Sequence, residues 1–165
     1  MNLEEAIKTA IEYEIKVRDV YRNAEERSND LVAKKILRLL AIEEQQHLDY
    51  LRYKLDQWEK GETVTAEALK TAFPVKEDIS AHVETLEKKI IADDDAEELE
   101  ILTKAVEVEK ETSRFYTKVM HEISEEHQKL FHNFMIIEAN HLALVEAELD
   151  FVKTTGFWFD LSDFI

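Results

Sequence analysis

From Leu3 onward, apolar residues recur at alternating steps of three and four: Leu3, Ile7, Ala10, then Val17, Tyr21 and Ala24. That spacing keeps one stripe of an α-helix buried. The rhythm returns at Ala33, Leu37, Leu40 and Leu51, then at Leu102, Ala105, Tyr116, Val119 and Ile123, and again at Phe131, Phe134 and Val145. It predicts four long helices, over about residues 3–26, 31–60, 96–123 and 125–155. Punctuation agrees with the pattern. Asn2 and Glu5 have capping-box spacing, and "RSND" at 27–30 reads as a short turn. Gly61 is a natural stop for the second helix. The "DDD" at 93–95 suits the positive N-terminal end of the third, and Ser124 reads as the cap of the fourth.

The connection lengths set the topology. Short turns after the first and third helices make each pair an antiparallel hairpin. The second helix is about 45 Å long at 1.5 Å per residue. Residues 61–95, which include Pro74 and one or two short helical pieces, are numerous enough to travel that length and start the third helix at the far end. The predicted fold class is all-α, a ferritin-like four-helix bundle whose hairpin pairs are joined by a long crossover. One domain covers residues 1–165, with an irregular aromatic tail at 156–165.

Each apolar stripe is interrupted near its middle. Glu14 breaks the first, Glu44 and His47 the second, Glu109 the third, and Glu138 and His141 the fourth. Every one of these Glu lies about 21–24 Å along its helix from the turn of its hairpin, so the four meet at mid-bundle. The chain also repeats itself. "YEIKVRDVY" (13–21) aligns with "VEKETSRFY" (108–116), and "IEEQQHL" (42–48) aligns with "IIEANHL" (136–142). Glu14 maps to Glu109 at an offset of 95, and Glu44 and His47 map to Glu138 and His141 at 94. Two hairpins related by a pseudo-twofold axis bring both sets together.

Four ionised carboxylates crowded into one core repel one another, and burial penalises each. They must be protonated or be compensated by cations. Four Glu and two neutral His carry a charge matched by two divalent ions, and an oxygen-rich set with two imidazoles suits iron or manganese better than a closed structural zinc site. Of the six His in the chain, only His47 and His141 have a Glu three places before them. His82, His121, His127 and His132 read as surface or ordinary core residues. Glu12, Glu43 and Glu111 adjoin the candidate ligands in sequence but are read as pointing to other faces. Tyr21 and Tyr116 read either as plain core aromatics or as partners of a ligand carboxylate.

Composition narrows the function classes. There are 37 Asp and Glu against 21 Lys and Arg, for a net charge of −16. That speaks against nucleic acid or an anionic membrane as partner. Having no Cys, the chain has no disulfide, thiolate chemistry, iron–sulfur cluster or Cys-ligated zinc. "MNLEEAIKTAIEYE" is charged and amphipathic, unlike a secretory signal, and no apolar run is long enough to span a membrane, so a cytoplasmic location is expected.

The four stripes with their Glu and Glu-x-x-His interruptions resemble the rubrerythrin diiron domain of the ferritin-like superfamily, over roughly residues 3–155. The "GFWFD" tail is similar to endings in ferritin-like proteins. The resemblance implies Glu14, Glu44, His47, Glu109, Glu138 and His141 as ligands of two iron ions, with manganese or zinc as alternatives. It implies reduction of hydrogen peroxide, or oxidation of ferrous iron with oxygen or peroxide, in defence against oxidative stress. It also implies a homodimer. Two departures bear on activity. Rubrerythrins carry a Cys-rich rubredoxin domain as electron donor, so a donor such as a rubredoxin would here be a separate protein. They also carry an extra Glu one turn after the third-helix ligand, where this chain has Thr112. The alternatives are an iron-binding protein for sequestration or delivery with little turnover, and a bundle whose metals serve only stability during assembly with a partner.

Overall fold

A computed structural model of the chain describes residues 1–86 and 96–161. The described residues form five α-helices and no strand: α1 (Leu3–Arg27), α2 (Leu31–Glu59), α3 (Lys76–Thr85), α4 (Ala96–Glu122) and α5 (Gln128–Thr155). Asn2 opens α1 with both halves of a capping box. Its Oδ1 accepts from the Glu5 N–H at 2.9 Å, and Glu5 Oε2 accepts from the Asn2 N–H at 3.1 Å. Asp30 caps α2 by accepting from the N–H groups of Val32 and Ala33 at 2.8 and 3.0 Å. Gly61 follows α2 at φ +71°, and Gly156 ends α5 at φ +82°. Both sit in the left-handed region that costs Gly nothing.

The fourth long helix begins differently from the reading of Ser124 as its cap. The Ser124 hydroxyl contacts His127 Nδ1 at 3.0 Å instead of capping a backbone N–H. A 3₁₀ turn over Glu125–His127 intervenes, and α5 proper starts at Gln128. The Asp93–Asp95 reading at the start of α4 lies outside the described residues.

Helix α1 packs on α2, α4 on α5, and α1 on α4. Cross-helix pairs show that α1 and α4 run in opposite directions. Arg27 pairs with Glu97, Lys16 with Glu111 at 2.6 Å, and Tyr13 stacks on Phe115. Glu98 of α4 accepts from Ser28 Oγ at 2.7 Å and from the Asn29 N–H in the α1–α2 turn, while its other oxygen accepts from Trp158 Nε1 at 3.0 Å. One buried carboxylate therefore fixes the start of α4 beside the end of α1, as the long crossover requires. The same bond ties the tail to that end of the bundle, where Trp158, Phe159 and Leu161 are buried.

The crossover covers α2 and α5. Lys54, buried on α2, donates to Thr65 at 3.0 Å, pairs with Glu67, and lies 5.0 and 5.3 Å from the ring centres of Tyr50 and Tyr53. Further along, Phe73 and Ile79 are buried, α3 packs on α5, and the Lys76 N–H donates to Asn140 Oδ1 at 3.2 Å. Burial of each such apolar side chain contributes roughly 1.5–3 kcal/mol. The apolar interior is two clusters. One runs from Val17, Leu37 and Leu40 to Val145 and Trp158, and the other from Leu3 and Ile7 to Phe131 and Phe134.

Candidate metal centre

Between the two apolar clusters lies a layer of charged side chains. Glu14 enters it from α1, Glu44 and His47 from α2, Glu109 from α4, and Glu138 and His141 from α5. All six are at most 2% exposed. Helical geometry explains the pairs on α2 and α5, because residues three apart stand one above the other on the same face.

The layer contains two groups, each with ligand atoms within 4.8 Å of one another and able to hold a metal ion: Glu14, Glu44, His47 and Glu138, and Glu44, Glu109, Glu138 and His141. Glu44 and Glu138 belong to both. His47 Nδ1 lies 3.2 Å from Glu138 Oε1, 3.3 Å from Glu44 Oε2 and 3.7 Å from Glu14 Oε2. His141 Nδ1 lies 2.8 Å from Glu44 Oε1, 3.6 Å from Glu138 Oε2 and 3.8 Å from Glu109 Oε1. The two rings are nearly parallel, with centres 6.0 Å apart.

Electrostatics reflect the crowding. Burial pushes the Glu14 and Glu109 carboxyls well above the ordinary carboxylate range, and the neighbouring Glu138 and Glu44 charges push them further. Burial pushes Glu44 up as well, but the His141 charge and the hydrogen bonds with Glu14, His141 and His47 outweigh it and hold Glu44 well below that range. Burial pulls both imidazoles down, yet the surrounding carboxylates outweigh it and raise His47 and His141 well above the usual histidine value.

Proton sharing leaves much of the layer unsatisfied. Glu14 Oε2, Glu44 Oε2, Glu109 Oε2, Glu138 Oε2 and His47 Nε2 are buried with no hydrogen-bond partner among the described residues. His47 faces the carboxylates with Nδ1, so its Nε2 is the outer nitrogen. The four carboxylate oxygens belong to the layer itself, and buried polar atoms of this kind are rare in native proteins and call for an explanation such as an ion. Four inward carboxylates with orphan oxygens and two inward imidazole nitrogens fit a pair of divalent cations.

Two tyrosines support the layer from α1 and α4. The Tyr21 hydroxyl donates to Glu109 Oε1, and the Tyr116 hydroxyl donates to Glu14 Oε1 at 2.5 Å. Each lies seven residues, about two turns, after its own helix's Glu and reaches across to the other's. Of the two roles left open by the sequence, carboxylate partner is the one seen. Burial and the adjacent carboxylates push both phenols well above their ordinary value. Thr112 is buried one turn from Glu109 and donates to the Val108 carbonyl at 2.8 Å.

Glu43 corrects the sequence reading. It does not point to another face: it is 3% exposed, and its Oε1 lies 3.0 Å from His141 Nε2. Its Oε2 accepts from the Ala72 N–H at 3.0 Å. Burial pushes this carboxyl up, but the hydrogen bond and charge of His141, with Thr71 and Ala72, hold it below the ordinary range. Single-file spacing missed it because the buried band of α2 is two residues wide. Ile36, Leu40, Glu43 and His47 form a second row beside Leu37 and Glu44. The signal was available, since residues 43 and 47 share a face. Glu12 is exposed and Glu111 half-buried in its pair with Lys16. Among the remaining histidines, His121 and His132 are exposed, while His82 and His127 are half-buried.

The family model described as Rubrerythrin matches residues 5–149. That is most of the chain, including every residue of the charged layer, and the chain belongs to this family. No curated protein and no solved structure matches it.

Proposed function

We propose that this member of the rubrerythrin family is a dinuclear iron oxidoreductase, the whole chain forming one diiron domain that reduces hydrogen peroxide or oxidises ferrous iron. The observation that carries the reading is the pair of overlapping four-residue groups that share Glu44 and Glu138 in a buried layer. Glu14 and His47 would complete one metal position, and Glu109 and His141 the other. Manganese or zinc would fit the same donors. When bound, the iron pair supplies the electrons and the Lewis acidity for peroxide chemistry.

The chain's own residues supply the rest. Shared Glu44 and Glu138 would hold the two positions close together. Tyr116 and Tyr21 donate to one oxygen each of Glu14 and Glu109, which leaves the other oxygen of each free to face a cation. The apolar layers on both sides exclude bulk water and strengthen every charge interaction between them. No side chain need act as a nucleophile. Residues 1–165 hold no Cys, so electrons would come from a donor outside them, such as a rubredoxin.

Thr112 favours a second reading, iron binding for sequestration or delivery with little turnover. It stands where rubrerythrins carry a further carboxylate and is bonded to its own helix backbone. Stopped-flow mixing of anaerobic iron-loaded protein with peroxide separates the two. We expect peroxide to oxidise the iron faster than a buffer blank, with turnover limited by re-reduction. Thr112→Glu should change the re-reduction rate more than the oxidation rate. Oxidation no faster than the blank would overturn the oxidoreductase reading and leave iron binding in its place.

A further inference from the structure

The internal repeat is broken at one buried position. At the offset of 94 that relates the two Glu-x-x-His pairs, Glu43 maps to Ile137. Both residues are buried, but only one has a charge. The consequence falls on the outer nitrogens of the two histidines. His141 Nε2 lies 3.0 Å from Glu43 Oε1. His47 Nε2 is buried with no partner among the described residues. Aromatic packing does not separate the rings. Phe73 meets His141 edge-on at 5.4 Å, and Phe134 meets His47 edge-on at 5.3 Å. The outer nitrogen is where they differ.

Glu43 is itself fixed at both oxygens, because the Ala72 N–H of the crossover donates to its Oε2. An ionised carboxylate only accepts, so His141 keeps a proton on Nε2 and turns the lone pair of Nδ1 toward Glu44, Glu109 and Glu138 whenever a cation displaces the Nδ1 proton. A carboxylate on the outer N–H raises the basicity of the imidazole and locks its orientation. His47 receives neither effect.

We propose that Glu43 is a positioning residue that makes the two metal positions unequal, so that the position served by Glu109 and His141 binds a divalent cation more tightly than the one served by Glu14 and His47. The inference rests on the metal-holding reading of the layer. It assigns the crossover a part in that binding, since the segment at Ala72 holds the carboxylate that holds the histidine.

The experiment is a calorimetric titration of the metal-free full chain with Co2+. Wild type should bind in two steps, the first at least about tenfold tighter than the second. Glu43→Gln should weaken the first step by about 10–100-fold and leave the second unchanged. Gln keeps the size, but its single carbonyl oxygen can accept from His141 or from Ala72 and not from both. The discriminating readout is therefore which step changes: a general structural loss would weaken both steps alike, and a loss of the carboxylate behind His141 weakens only the first. Two further variants keep the test sound should Glu43→Gln fold poorly: His47→Ala should retain the tight step, and His141→Ala should lose it. In the NMR spectrum, the first equivalent of Co2+ should produce one shifted, solvent-exchangeable ring N–H signal, and that signal should move in Glu43→Gln. Two equal steps in wild type, equal weakening of both steps by Glu43→Gln, or retention of the tight step by His141→Ala would each overturn the inference and leave the metal-holding reading intact. No bound Co2+ in wild type would overturn both.

Discussion

The apolar layers and the charged layer between them occupy the same stripe of the same helices, yet they obey opposite rules. In the layer around Phe131, Phe134, Ile7 and Leu51, the aliphatic and phenylalanine side chains have no polar atom to satisfy, and the Tyr116 hydroxyl is bonded to Glu14. Its stability comes from area removed from water. In the layer around Glu44 and Glu138, burial is a cost, and Glu14, Glu44, Glu109 and Glu138 each keep a buried carboxylate oxygen with no partner among the described residues. The lesson is that the bundle is held together by its ends and gives up stability at its middle. A bound cation pair would reverse the sign of that middle contribution.

Loading the layer sharpens this contrast most. A ligand that binds only the folded state stabilises it by about 4 kcal/mol at roughly a thousandfold excess over Kd. Two ferrous ions added anaerobically should therefore raise the melting temperature strongly, at about 2–4 °C per kcal/mol for a chain of this size. A melting temperature unchanged by the metal would show that the charged layer gains no stability from cations.

Next in size is a cavity in an apolar layer. Phe131 is fully buried, and Phe131→Ala should cost about 3–5 kcal/mol by chemical denaturation. The loss should be similar with and without metal, because the apolar layer does not depend on the charged one. A loss confined to one form would show that the two layers are coupled.

The pH dependence is smaller but has a diagnostic sign. Glu14, Glu109, His47 and His141 all have folded-state pKa values raised above their unfolded ones. Such groups stabilise the folded state below their unfolded pKa, and that contribution is lost as pH rises through the folded pKa. Glu44, held low, contributes above its unfolded value and loses that contribution only as pH falls below about 4.3. Metal-free protein should thus become more stable as pH falls from about 8 to about 5. Metal-loaded protein should show the opposite slope, since protons compete with the cations for the same atoms. Denaturant midpoints across that range, measured with and without metal, check both signs.

The two kinds of layer were also legible to different degrees. An apolar stripe announces itself by period, so the bundle, its antiparallel pairs and the long crossover could be read from spacing and turn residues. The six charged residues were readable because they interrupt that period at matching places in an internal repeat. Glu43 was not, since a stripe taken one residue wide assigns it to the helix flank, while the wide band of α2 buries it under the crossover. The start of α5 was misplaced by a side-chain contact, because the Ser124 hydroxyl engages a ring nitrogen and leaves the backbone to tighten into a 3₁₀ turn. Neither the contact between Glu43 and Ala72 nor the docking of Trp158 on Glu98 has a local signature. Both join residues far apart in sequence.

Every role proposed for the charged layer depends on its holding two metal ions. The most direct measurement is the metal content of protein loaded anaerobically with ferrous iron and freed of excess, in wild type, Glu44→Ala and Glu138→Ala. Glu44 and Glu138 are shared by both groups, so wild type should retain two ions per chain and each variant should lose at least one. A wild-type content of zero or one, or variants that still hold two, would contradict the claim.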